Sequence, residues 1–264
     1  MALPVAAATG GQSAPPAPTG EELYNTACAA CHGKDGRGAP PHPVGFETPL
    51  PDFTDCAFTT PEADWDWMAQ AHDGGPARGF NYRMAAFGDV LTAEEIELVV
   101  SHMRTFCTSD AWPRGELNLP RAFVTEKAFP ENEFVLTTSF ATSGAGSVSN
   151  EFLYEKRFGP RAQIEAKAPV DLAEGEDGQW VRGLGDVAFA FKYAAFHSIR
   201  TGSIFSVVGE VILPTGKESL GLGKGVTIFE PFVAFGQGLG ALGFIQLQAG
   251  AEVPLRDEAA GEAF

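Results

Sequence analysis

The 264-residue chain has no run approaching the roughly 20 consecutive apolar residues of a membrane-spanning helix. It is also poor in basic residues: 18 Lys and Arg stand against 34 Asp and Glu, a net charge of −16. A surface that neutralises nucleic-acid phosphates needs the opposite balance, which argues against a nucleic-acid partner. The deficit is uneven. From Thr19 to Asp110 there are 15 acidic and 5 basic residues, against 19 and 13 elsewhere. Such a field favours partners with a basic patch, by steering rather than by tight binding. The beginning lacks a full leader. Met1–Thr9 has small apolar residues like the end of a signal peptide, without a basic start or a complete apolar run. Residues 10–19, rich in Pro, Gly and Ser, read as a linker. A truncated or misassigned start is the expectation.

Cysteine is scarce, and two of the four sit in Cys28-Ala29-Ala30-Cys31-His32. The C-x-x-C-H spacing puts both thiols one helical turn apart. Each can then add to a haem vinyl group, while the adjacent imidazole ligates the iron. A zinc site would want a second ligand pair at short spacing, and no other C-x-x-C or H-x-x-H occurs. One covalently attached haem c is therefore expected. Its attachment takes place outside the cytoplasm, so the motif implies export to the periplasm or outer membrane of a Gram-negative bacterium. In an exported chain the other two cysteines, Cys56 and Cys107, can form a disulfide that staples a loop to the end of the last helix of the haem domain. The alternative is two buried, unlinked thiols.

Around the motif the pattern is helical. Thr19 can cap a helix over Glu21–Ala30, with Glu21 and Glu22 in its acidic first turn. A Gly- and Pro-rich stretch from Gly33 to Pro51 cannot be helical but can wrap a flat ligand. Pro61–Ala71 reads as a short helix with Trp65, Met68 and Ala69 on its apolar face. Thr92-Ala93-Glu94-Glu95 is a capping box, and Ile96, Val99, Val100 and Met103 then fall at helical spacing. The iron's distal ligand, if there is one, is soft or an imidazole, so Met68, Met84, Met103, His42, His72 and His102 are candidates. Met103 and Met68 suit the core. Met84 lies in an irregular loop, Asn81–Gly88, that can approach the opposite haem face, and His72 is the best replacement. Trp65 and Trp67 read as core and rim more than as an electron path, and Gly45 and Phe53 as haem packing.

Three features together resemble the small class I cytochromes c. They are the first helix running into C-x-x-C-H-G, the Gly-rich Lys34–Gly38 segment, and the Met84-x-x-Phe87 loop before a capped last helix. The resemblance covers about 90 residues. It implies that Met84 is the distal ligand, with one departure: the family often has Pro after that Met, and here Ala85 follows. His/Met ligation raises the reduction potential relative to two imidazoles. With both axial positions filled, the iron offers no open site to a substrate. The domain is expected to carry single electrons and not to be catalytic itself.

Beyond Trp112-Pro113 the period changes from helical to two. Seven strands are expected, over Phe134–Phe140, Phe152–Phe158, Ala162–Val170, Val187–Ala195, Phe205–Leu213, Ile228–Phe235 and Phe244–Leu255. Their length and their polar, small-residue faces resemble outer-membrane β-barrels, in which the apolar face points outward. A soluble β-sandwich, with its apolar face inward, is the alternative. Glu210, Glu230 and Glu252 would cluster inside a barrel or simply scatter over its lumen, and His197 reads as a strand-end residue. Seven strands ending at Asp257–Phe264 do not close convincingly, so a C-terminal truncation is expected.

The organisation expected is thus a signal remnant and linker (1–19), a small all-α cytochrome c domain (20–110), a linker (111–130) and an incomplete antiparallel all-β region (131–264). Fused cytochrome–porin proteins share this architecture, so the expected function is electron transfer at the outer membrane with redox-protein partners. Two rivals stand beside it: a passive pore with a cytochrome shuttle, and a soluble β module fed electrons by the haem.

Overall fold

The computed structural model describes residues 16–40, 49–122, 124–144, 146–175, 178–240 and 243–255. The signal remnant before residue 16, His42, Gly45 and the tail Asp257–Phe264 lie outside them. The chain divides into two compact units. One comprises the residues up to Phe53 together with Met68–Phe106, and the other Thr54–Trp67 with Cys107 onward.

The first unit is helical. Helix α1 (Gly20–Ala27) opens on a capping box in which Thr19 and Glu22 satisfy each other's backbone N–H groups. These bonds hold the Glu22 carboxyl below its usual value. Cys28 separates α1 from a single turn, α2 (Ala29–His32), so the expected helix is broken inside the motif. The last helix of this unit, α5 (Ala93–Arg104), has a second capping box between Thr92 and Glu95 and buries Ile96, Val99, Val100 and Met103. The two helices meet at Gly20, where a Cβ would lie 2.2 Å from the Leu98 carbonyl oxygen. Only glycine permits that approach.

Helix α3 (Cys56–Thr59) is capped by Asp55, and α4 (Asp64–Asp73) begins in the second unit and ends in the first. Cys56 and Cys107 form a disulfide, with Cα atoms 5.2 Å apart, inside the second unit. Arg114 pairs with Asp64 at 2.7 Å and with Glu116. Gly115 sits so close to Glu62–Ala63 that a Cβ would come within 2.3 Å of backbone. Trp65 is 67% exposed, whereas Trp67 stands edge-on to Phe58.

The second unit is dominated by one antiparallel sheet. Its strands are β1 (Asn132–Phe140), β2 (Ser147–Phe158), β3 (Ala162–Glu174), β4 (Trp180–Leu184), β5 (Val187–Ser198), β6 (Ser203–Leu213), β7 (Thr227–Gly238), β8 (Phe244–Gly250) and β9 (Val253–Leu255). They follow one another in the order β1-β2-β3-β5-β6-β7-β8, with β4 on β3 and β9 on β7. All seven expected strands are present. Strand β4 is an addition, and the last expected strand is split at Ala251-Glu252 into β8 and β9, both on β7. The split lies opposite Pro231, whose nitrogen has no hydrogen to give the ladder. No pairing joins β1 to β8 among the described residues, so the sheet is open there.

The two faces of this sheet are opposite in character. On one lie Phe134, Phe152, Tyr154, Phe158, Ile164, Phe189, Phe191, Tyr193 and Val207, each between 38% and 65% exposed. On the other lie Glu155, Arg157, Gln163, Glu165, Lys192, Ser206 and Glu210, all buried. Period-two alternation produces this segregation directly. Its sense is the reverse of a soluble sandwich. Toward β6 and β7 the inner face becomes apolar, where Ala194, Ile204 and Ala234 pack with Leu117, Ala128 and Phe129 from the stretch that precedes β1.

Candidate haem site and the interior ion network

The haem motif is built at the junction of α1 and α2. Tyr24, buried on α1, donates its phenol proton to the Gly33 carbonyl at 2.9 Å. Its ring packs against His102 of the last helix and Phe106 just beyond its end, each 5.3 Å away. Burial pushes this phenol above its usual pKa, so it remains a donor. After His32 the chain turns at Gly33, Gly36 and Gly38, all with φ between 74° and 80°. The loop bonds back onto the helix end: Gly38 N–H donates to the His32 carbonyl and Ala39 N–H to that of Cys31, at 2.8 and 2.7 Å. A Cβ on Gly36 would strike the Phe106 ring at 2.7 Å, so this glycine lets the loop lie flat on the helix.

Cys28 and Cys31 are unpaired thiols, each half-buried. Burial, with the Cys31 charge behind it, pushes the Cys28 thiol up to about 11. His32 is stacked on Phe53, ring centroids 4.9 Å apart, and its Nδ1 is buried with no hydrogen-bond partner. Burial holds the imidazole below its usual pKa, so the neutral, ligating form prevails at pH 7. Two free thiols and a neutral, half-buried imidazole within five residues fit a covalently held haem. When bound, haem supplies a one-electron Fe(III)/Fe(II) couple.

Met84 is half-buried in the loop before α5. The loop is clasped to the end of α4, where Gly75 N–H donates to the Met84 carbonyl at 3.0 Å, and Phe87 and Gly88 N–H donate to Ala71 and His72. Gly75 is required there, since a Cβ would lie 2.0 Å from the Asn81 carbonyl oxygen. Gln70 Nε2 donates to the Met84 sulfur at 3.2 Å. Sequence reasoning missed Gln70, and its position one turn beyond Trp67 on α4 is the only signal that could have found it. Of the other candidates, Met103 is core, His102 lies tilted against Tyr24 and edge-on to Phe106, and Met68 is half-buried on α4. His72 is exposed and bonded to Asp73 at 2.6 Å.

The second unit holds a ladder of buried charges. Lys192, 1% exposed, meets Glu165 at 2.8 Å, Glu155 at 3.6 Å and Glu126 at 3.7 Å. Lys167 bridges Glu126 and Glu210 at 2.7 Å each. Gln163 donates to both Glu155 and Glu165. Arg121 pairs with Glu133 and Glu155, and Lys127 with Glu131. Glu210, Glu230 and Glu252 do not form one cluster. Glu210 is taken by Lys167, and Glu252 pairs at the surface with Lys224, while Glu230 shares a shallow cavity of about 350 Å³ with Glu252, Thr125 and Gln248. His197 sits at the end of β5.

Residues 15–103 match the model of the family described as cytochrome c oxidase, cbb3-type, subunit III. A solved structure of KustC0563 c-type cytochrome is 27% identical over 34% of this chain and 99% of its own, with a TM-score of 0.29. No curated protein matches the chain. With the motif geometry in place, residues 15–103 are a c-type cytochrome domain. It carries covalently bound haem c and serves haem-based electron transfer with redox-protein partners. Cytochromes of this type are typically exported.

Proposed function

We propose that the chain is an electron carrier tethered to the outer membrane, with haem c on Cys28 and Cys31, His32 and Met84 as axial ligands, and the sheet as part of a transmembrane β-barrel. One observation carries the tether: the aromatic face of the sheet is the exposed one, and the charged face is buried. A soluble sheet that left Phe189, Phe191 and Tyr193 in water while desolvating Lys192 and Glu165 would be disfavoured on both faces. In a barrel the same arrangement puts rings in lipid and charges in the lumen. Strands β1 and β8 run the same way along the up-and-down path, so an all-antiparallel closure needs an odd number of further strands.

For the iron, the proposal rests on Met84 being the half-buried sulfur of a loop clasped to α4. His72, the rival, is exposed and engaged by Asp73. Six-coordinate iron passes electrons without binding a substrate, so on this reading 20–110 is the redox part and 131–264 the tether, with Leu117, Ala128 and Phe129 of 111–130 packed on the sheet. The acidic charge of the cytochrome part favours partners with basic patches. Replacing Met84 with Ala tests the ligand. The haem stays attached, the iron–sulfur charge-transfer absorption disappears and the potential falls. An unchanged spectrum and potential would reject Met84. Heat-dependent gel mobility of material recovered with outer membranes tests the tether.

A further inference from the structure

The stretch before β1 crosses the charged face of the sheet and is attached to it in two different ways. Its two ends are apolar anchors. Leu117 on one side, and Ala128 with Phe129 on the other, are buried with Ala194, Ile204 and Ala234 of the strands. Between the anchors the character changes. Pro120, Arg121 and Val124 are exposed, with Val124 91% so. Here the attachments are polar. Gln246 donates to the Pro120 carbonyl, and Glu126 N–H donates to Gln248 Oε1. Arg121 reaches Glu133 and Glu155, and the Glu126 carboxylate reaches Lys167 and Lys192. Leu119 rests over Gly236 of β7, where a Cβ would come within 3.0 Å of it.

A segment fixed at both ends by burial and in the middle by charge has a defined way to open. Loss of the charge pairs releases the middle, while the anchors hold. We propose that residues 119–122 and 124–127 form a strap that closes the interior of the sheet, latched by Glu126 and Arg121, and that its opening admits water to Lys167, Lys192 and Glu155. The lysines retain Glu165 and Glu210 as partners when the strap lifts, so the ladder beneath survives opening. The latch responds to ionic strength, because its charged groups lie at the edge of solvent while the anchors do not. On the barrel reading the strap is the closure of the lumen, yet the hinge itself does not depend on a membrane.

The test is lysine acylation of the haem-loaded full chain by a charged acetate ester, read by peptide mass spectrometry alongside amide hydrogen exchange. In the native chain at low salt, Lys192 is protected. In Glu126→Gln, and in the native chain at molar salt, acylation of Lys167 and Lys192 and exchange at 119–122 and 124–127 rise by roughly tenfold or more, since a single hydrogen bond to a charged group is worth about that factor. Exchange at Ile204–Val208 and the c-type spectrum stay unchanged. Arg121→Gln is the second variant and gives the same pattern more weakly. Equal protection in all forms, or strands that open together with the strap, would overturn the proposal. Both measurements work in detergent or in plain buffer, so a chain that proves soluble sinks the barrel and leaves the strap standing or falling by itself.

Discussion

Lys192 and Glu165 meet at 2.8 Å in the interior of the sheet, and each side chain is 1% exposed. Neither charge reaches water, so each depends on the other and on the groups around them. Glu155 and Glu126 lie within 3.7 Å of the same ammonium, and Gln163 donates to Glu165. Truncating one partner of such a set leaves the rest as uncompensated buried charge.

Lys192→Met is therefore expected to cost about 3–5 kcal/mol of stability. Chemical denaturation followed by intrinsic fluorescence measures it. Combining it with Glu165→Leu should recover part of the loss, because the second change removes the stranded carboxylate.

The Cys56–Cys107 disulfide closes a loop across a sequence separation of 51. Chain-entropy arguments give about 4 kcal/mol for a loop of that size. Replacing both cysteines with Ser should lower stability by that order while the haem remains bound through Cys28 and Cys31. A loss of haem on such replacement would show that the bridge also shapes the motif.

Tyr24→Phe removes one hydrogen bond to the Gly33 carbonyl and leaves the ring contacts with His102 and Phe106 in place. The expected cost is about 1 kcal/mol, with the c-type absorption unchanged. Differential scanning calorimetry of the two haem-loaded proteins checks both parts.

The pH dependence of the strap follows from Glu126. Burial alone would raise its carboxyl, but the charges of Lys167 and Lys192, the hydrogen bond from Lys167 and the charge of Arg121 outweigh that and hold it below 4.5. A carboxyl depressed in the folded state contributes stability that is fully present above its unfolded value. That contribution is lost as pH falls through the depressed one. The strap should stay latched from neutral pH down to the ordinary carboxylate range and loosen only below it. Glu165 and Glu210 face the same lysines, but burial raises their carboxyls above the usual value, so as pH falls they take up protons before Glu126 does. Hydrogen exchange of residues 119–122 and 124–127 against pH, in native chain and Glu126→Gln, isolates the Glu126 part.

Much of this architecture is legible in the sequence because its signals are local. The Thr19 cap and the Thr92/Glu95 capping box mark two helix starts, the first to within one residue. The alternation of Phe189, Phe191 and Tyr193 with Ala188, Ala190 and Lys192 displays both faces of β5. What sequence could not supply was long-range. The clasp between Gly75 and Met84, the Gln70–Met84 contact and the pairing of Glu126 with two strand lysines all join residues whose spacing follows no period. Residues 111–130 read as a linker because Pro, Asn and Arg interrupt any repeat, yet Leu117 and Phe129 are among the most buried side chains. Strand β4 was missed because Trp180–Leu184 is only five residues long and contains a glycine.

A haem-stained gel of fractionated cells, run with and without boiling, shows whether the haem-bearing chain is held in the outer membrane. A tethered chain gives a haem-bearing band in the outer-membrane fraction, extracted only by detergent, whose mobility changes on heating. A haem-stained band that is soluble without detergent and indifferent to boiling would contradict the tether and leave a soluble cytochrome with a β module attached.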